Sequence, residues 1–213
     1  MYLPGGITWK TDGVVNQNGA IQFGTGTTDV ATIVNQAGGV YELTSGNAQM
    51  YADGAGSYTF VDAGLLEMLG GGTNNIDATI DETSTGTITS TTGNLNFNAG
   101  GTIAGIVSGS QPVNFSGNVT LAATGDITAS SVSFSGGMVT MHGGTIAANS
   151  LSLGSDVDVT GFGAIGDLSN YGEIDAAGGL LTVNGNGSGN GSFRVETGAT
   201  LELTGNTAQN IAF

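Results

Sequence analysis

Apolar side chains recur two positions apart along almost the whole chain, with Thr, Ser, Asn or Asp between them. The runs VYELT (40–44), YTFV (58–61), LNFN (95–98), VNFS (113–116), VTLAA (119–123), SVSF (131–134), MVTM (138–141), LSL (151–153), VDVT (157–160), LTV (181–183) and LELT (201–204) all carry it. A period of two sends alternate side chains to opposite faces of a sheet. The pattern therefore predicts short strands, recurring roughly every 8–12 positions and separated by Gly-containing turns. Val40, Phe60, Phe97, Phe115, Phe134 and Leu153 are expected to point inward. The best helical stretch, VDAGLLEMLG (61–70), holds Gly64 and is followed by more Gly, so a strand serves it equally well.

Short, evenly spaced strands suit either a β-solenoid or a β-sandwich or barrel. A sandwich wants longer strands and edges blunted by Pro or charge. This chain has only two Pro, one Trp and eight Phe among small and medium aliphatics, which fits a narrow coil interior. Turns of one type, GTI (101–103), GDI (125–127), GTI (144–146) and GEI (172–174), suggest coils stacked in register. The fold class read from the pattern is all-β, a parallel β-helix, with a β-sandwich as the alternative. At about 20 residues per coil the chain would make about ten coils and a rod about 45–50 Å long. Residues 1–213 read as one solenoid segment, with a longer repetitive chain around it left open. NGNGSGNGS (184–192) falls where other coils turn and reads as a long surface turn, with a flexible linker as the alternative.

Composition narrows the partners. The net charge is −15, with Lys10 and Arg194 the only Lys or Arg. Phosphate backbones and anionic membrane surfaces both need several basic contacts, so nucleic acid and membrane are not expected partners. There is no Cys, hence no disulfide and no thiolate metal site. No run of 18 apolar residues occurs to span a membrane as a helix. MYLPGGITWK lacks the basic start and apolar core of a signal peptide, so an export signal would lie outside this piece.

GSFRVETGATLELTGNTAQNIAF (191–213), TIVNQAGGVYELTSGNAQMYADGAGSYTFVDAGLLEMLGG (32–71) and GTITSTTGNLNFNAGGTIAGIVSG (86–109) carry a resemblance. They resemble units of large secreted bacterial β-strand-repeat adhesins, of the filamentous haemagglutinin-like and autotransporter passenger-like kind. The resemblance implies a right-handed β-solenoid in a secreted or cell-surface adhesin, matrix or S-layer-like protein. GGGTNNIDA (70–78) lacks the second Gly and the aligned Asp of toxin-type calcium repeats, so a calcium roll is not expected.

Candidate chemistry is sparse. Asp77, Asp81 and Glu82 form the densest acidic cluster and are the candidate site for a weakly held Ca²⁺. Ca²⁺ is the one cofactor left open. Asp156 with Asp158, and Glu173 with Asp175, are two apart and would each share a face, as an acid and base require. The solvated-face reading of both pairs is preferred, because two basic residues are too few for lyase chemistry. His142, the only His, lacks the Asp pair and basic residues that accompany the His-Gly of polygalacturonases. Trp9, Tyr41, Tyr51 and Tyr58 would make a sugar-stacking strip if they share one outer face, and an end cap over the first coils otherwise. The expected function is a non-enzymatic structural and adhesive module of an extracellular or cell-surface bacterial protein. It would associate end to end with itself or with neighbouring repeats, and contact surface glycans. The alternative is a glycan-binding or glycan-cleaving β-helix.

Overall fold

The computed structural model describes residues 1–213, and every regular element in it is a β-strand. The 28 strands pair only in parallel and wind into a β-solenoid of about 11 turns. Each turn visits three strand columns in the same order. One full turn, for example, runs through Asn94–Phe97, Gly101–Ile103 and Ile106–Gly109 before Pro112–Phe115 stacks on Asn94–Phe97. The first column is a ten-stranded sheet of its own. The second and third are joined into one sheet by Gly137–Ile146, Val157–Ile165 and Glu173–Val183, which bend round the corner between them. Registers shift at these bends, between Gly161 and Gly163 in one case, and Gly161 has φ +128 with Met141 O 2.0 Å from where a Cβ would stand. Only glycine fits a bulge that tight.

The two-residue period builds the core directly. Inward side chains from the three columns merge into one cluster of 44 buried residues. Phe97, Phe115 and Phe134 stand in register, their rings stacked at 5.3 and 5.1 Å with interplanar angles of 17° and 14°. Phe60 and Leu153 also point inward, as expected. Val40 does not. It lies on the outer side of Val40–Leu43, where Tyr41 and Leu43 are buried instead. The alternation was right and its phase was off by one, which exchanges every side chain between faces. Residues 61–70 form no helix; Leu65–Met68 is a strand with Leu66 and Met68 inward.

Coil length varies more than a uniform repeat would allow. Ile21 pairs Met50 and Met50 pairs Ile76, so the early turns take 29 and 26 residues. Later partners lie 15 to 21 apart, for example 18 from Phe97 to Phe115 and 19 from Phe115 to Phe134. The extra residues sit in loops 24–29 and 44–49, outside the ladder. NGNGSGNGS proves to be more than a turn. Gly187–Ser188 inside it pairs with Leu168 and Ser169 and continues the first column, so the stretch is part of a rung.

Candidate functional site

Stacking in register turns the outside of each column into rows of like residues. On the first column Asn75, Asn96, Asn114 and Ser133 align. Asn96 Nδ2 donates to Asn75 Oδ1 at 2.8 Å, Asn114 Nδ2 to Asn96 Oδ1 at 2.7 Å, and Ser133 Oγ to Asn114 Oδ1 at 2.6 Å. Such a ladder satisfies side-chain amides along the rod without any apolar cover. On the second column Thr102, Thr120, Thr140 and Thr160 form a row of β-branched residues. The surface is thus flat, polar and repetitive.

The acidic cluster 77–82 does not converge. Asp81 and Glu82 are neighbours in Thr79–Glu82, so the pleat sends Asp81 to solvent and Glu82 into the coil. Asp77, on the outer side, accepts a hydrogen bond from Asn98 Nδ2 at 2.7 Å. These residues do not form one ligand set. Asp156 and Asp158 are both exposed, as expected for a solvated face. Glu173 and Asp175 share an outer face, and both are engaged by Arg194 from the next rung. The guanidinium binds Asp175 at 2.5 Å, Glu173 at 3.4 Å and Glu196 at 3.3 Å. It relieves the repulsion among three carboxylates at an exposed position, where salt screens the attraction. His142 is exposed at the corner of its bent strand, in register with Phe162.

The aromatic residues separate as well. Tyr41 is buried, donates from its OH to Gln17 Oε1 at 2.8 Å and meets Trp9 and Phe60 edge-on. Tyr58 is buried and stacks on Phe23 at 5.2 Å. Trp9 packs against the core in the first turn. Only Tyr51 is exposed, and it lines up with Gln22 and Tyr2 on the first column. Tyr51 OH donates to Gln22 Oε1 at 3.3 Å, while Gln22 Nε2 donates to Asp53 Oδ2 at 2.9 Å.

Two further features bear on function, and the first of them escaped the reading of the sequence. The first is a buried acidic corner. Asn35, Asp62 and Glu82 end successive strands of the second column, stand in register, and are each 0% exposed. Asn35 Nδ2 donates to Asp62 Oδ1 at 2.8 Å, and the Gly64 N–H reaches the same oxygen at 3.3 Å. Asp62 Oδ2 and both Glu82 oxygens lack a well-formed hydrogen bond; the Leu66 N–H is the next donor toward Asp62, and the Gly105 and Ile88 N–H groups are the next toward Glu82. Burial pushes the Asp62 carboxyl up to about 6, against the hydrogen bond from Asn35. Burial, reinforced by the charge of Asp62, pushes Glu82 up to about 8. The signal was available: in VATIVN, SYTFVD and TIDE these residues share parity with inward Ile33, Phe60 and Ile80.

The second feature is the pair of coil ends. Seven apolar residues pack against the core while remaining partly exposed, and all but Ala52 belong to the terminal turns: Trp9 and Val15 at one end, Val195, Ala199, Leu201 and Leu203 at the other. Ile211 and Phe213 extend the second patch, at 42% and 98% exposure. No helix of the chain is long and apolar enough to cross a membrane. No protein-family model, curated protein or solved structure matches the chain, which leaves the β-solenoid as the classification its own geometry supports.

Proposed function

We propose that this chain is a non-enzymatic structural and adhesive module, a segment of an extracellular or cell-surface bacterial rod. About 11 stacked turns at ~4.8 Å give a stiff body about 50 Å long, held by backbone ladders in three columns. Its job is mechanical: it spaces and displays outer faces and loops for weak, repeated contacts. The observation that carries this reading is the unbroken parallel stacking of three columns with repeating polar outer rows. Both terminal rungs present strand edges and core-type apolar side chains to solvent, the arrangement that another coil of the same kind would cover. Such a face takes a neighbouring repeat of the same chain or a second copy, stacked head to tail in a contact that does not close on itself.

Lateral association is opposed by the charge of −15, so growth along the axis wins. Salt and Ca²⁺ are expected to favour it by screening. In sedimentation velocity and negative-stain microscopy, wild-type protein should form rods in length multiples of one module as concentration and ionic strength rise. Leu203→Lys, which puts a charge on the open end, should remain a single module. A wild-type monomer at every concentration and salt level would refute end-on assembly.

A second reading, glycan binding, is favoured by the Tyr2–Gln22–Tyr51 row. Two exposed rings flank an amide oriented by Asp53, a combination that offers stacking and hydrogen bonds to a sugar. On a polysaccharide panel, this reading expects retention that Tyr51→Ala reduces at least about tenfold, about 1.4 kcal/mol. Retention indifferent to Tyr51, or release of reducing ends by the wild type, would count against it.

A further inference from the structure

The acidic corner of the second column is a feature that a mechanical rod does not need. In-register stacking places the Asp62 and Glu82 carboxyls one rung apart inside the coil. Asn35 precedes them in the stack and Ile103 follows. From the third column, Leu66 and Met68 of Leu65–Met68 and Ile88 and Ser90 of Thr87–Ser90 face the interior. None of these ionises. The nearest other acids, Asp81 and Glu67, lie on the outer sides of their strands. No salt bridge reaches the pair; Arg194 is engaged at Glu173, Asp175 and Glu196. Space is short as well, since a Cβ on Gly86 would stand 2.5 Å from the Asp62 carbonyl oxygen and 2.8 Å from Glu82 Cγ.

Two ionised carboxylates with no cation cannot both be held in such a place. We propose that Asp62 and Glu82 share one proton, which locks this corner of the coil in acid and releases it as the medium becomes alkaline. The proton sits on Glu82, whose O–H donates to Asp62 Oδ2. The single negative charge stays on Asp62, where Asn35 Nδ2 and the Gly64 N–H already point. One proton thereby gives a well-formed hydrogen bond to two oxygens that otherwise lack one. A dehydrated cation would need several further oxygens, and no other carboxylate or side-chain amide besides Asn35 faces this corner from the strands packed on it.

The direction of the pH effect follows. Both carboxyls ionise less readily in the folded coil than in the unfolded chain, Glu82 at about 8 against 4.5 and Asp62 at about 6 against 3.8. Their contribution is therefore fully present below the unfolded values. It is lost as pH rises through the folded ones, chiefly between about 4.5 and 8. The pair titrates as a unit, so the steps belong to the dyad.

Infrared spectroscopy in heavy water tests this on the intact chain. The wild type should keep a protonated-carboxyl carbonyl band at neutral pH, after exposed acids have ionised, and lose it in mild alkali. Glu82→Gln should have lost that band by neutral pH. In unfolding measurements the wild type should lose up to about tenfold in folding constant per pH unit between about pH 6 and 8, and more per unit below that, where Asp62 titrates as well. Glu82→Gln should flatten that slope, while Asp81→Asn, one residue away and facing solvent, should keep it. If Glu82→Gln does not fold, the wild-type band and Asp62→Asn, which should move the band's loss to lower pH, decide the matter. Absence of the band from neutral wild-type protein would overturn the proposal. So would one-to-one Ca²⁺ binding in calorimetry that requires Glu82, because a cation would then hold the pair.

Discussion

Phe115→Ala is expected to destabilise the solenoid by about 3–5 kcal/mol, the cost of emptying a large buried site that its neighbours cannot refill. Phe115 is fully buried and stacks between Phe97 and Phe134, so two ring contacts are lost at once. Each such contact is worth about 0.5–1.5 kcal/mol beyond the area it buries. Relaxation is limited because the neighbouring rings are held at their own rungs by backbone ladders on both sides. Phe115→Leu, which keeps most of the volume, should cost far less. Phe213→Ala, at a side chain 98% exposed, should change stability by under about 0.5 kcal/mol. Denaturant unfolding followed by circular dichroism measures all three. A loss below about 1 kcal/mol for Phe115→Ala would show that the stacked rings are not the packing core of the middle turns.

The second large effect is expected at Gly101. Its φ is +137, a left-handed value that L side chains rarely adopt, and an added Cβ would stand 1.9 Å from the Ile80 carbonyl oxygen. That oxygen belongs to the strand on which Gly101 stacks, so relief requires the two rungs to part. Backbone strain of about 1–3 kcal/mol therefore adds to the cost of opening the ladder. Gly101→Ala should lose about 3 kcal/mol or more and increase amide exchange in Thr79–Glu82 and Gly101–Ile103 first. Gly13→Ala is the contrast: Gly13 is not among the positive-φ glycines and nothing lies within 4 Å of its added Cβ. It should be neutral or stabilise by about 0.4–1 kcal/mol. Equal losses at the two glycines would mean that flexibility of the chain, rather than rung spacing, sets the requirement at Gly101.

Glu82 and Asp77 mark the limit of reading by proximity in sequence. With Asp81 they lie within six residues and look like one acidic patch. The pleat separates them: Glu82 goes inward, Asp81 outward, and Asp77 joins an outer row with Asn98. Glu82 instead meets Asp62, twenty residues earlier and in direct register. Trp9, Tyr41, Tyr51 and Tyr58 divide in the same way, three packing against the core and Tyr51 remaining outside.

What the sequence determined by itself is local. Alternation in LNFN, VNFS and SVSF made these strands and chose Phe97, Phe115 and Phe134 for the interior, because side-chain direction in a strand depends only on parity. Parity also held at Asn35, Asp62 and Glu82, where the side chain is polar although the position is inward. Only the tertiary structure decided which residue stands on which. The step from one rung to the next is 29 residues at Ile21 and 18 at Phe97, because loops outside the ladder absorb the difference. Nothing in a two-residue period encodes a loop's length, so the pattern could not place Asn114 on Asn96 or Glu82 on Asp62. Those pairings arise when turn geometry and core fit select one parallel register among the many that the alternation permits.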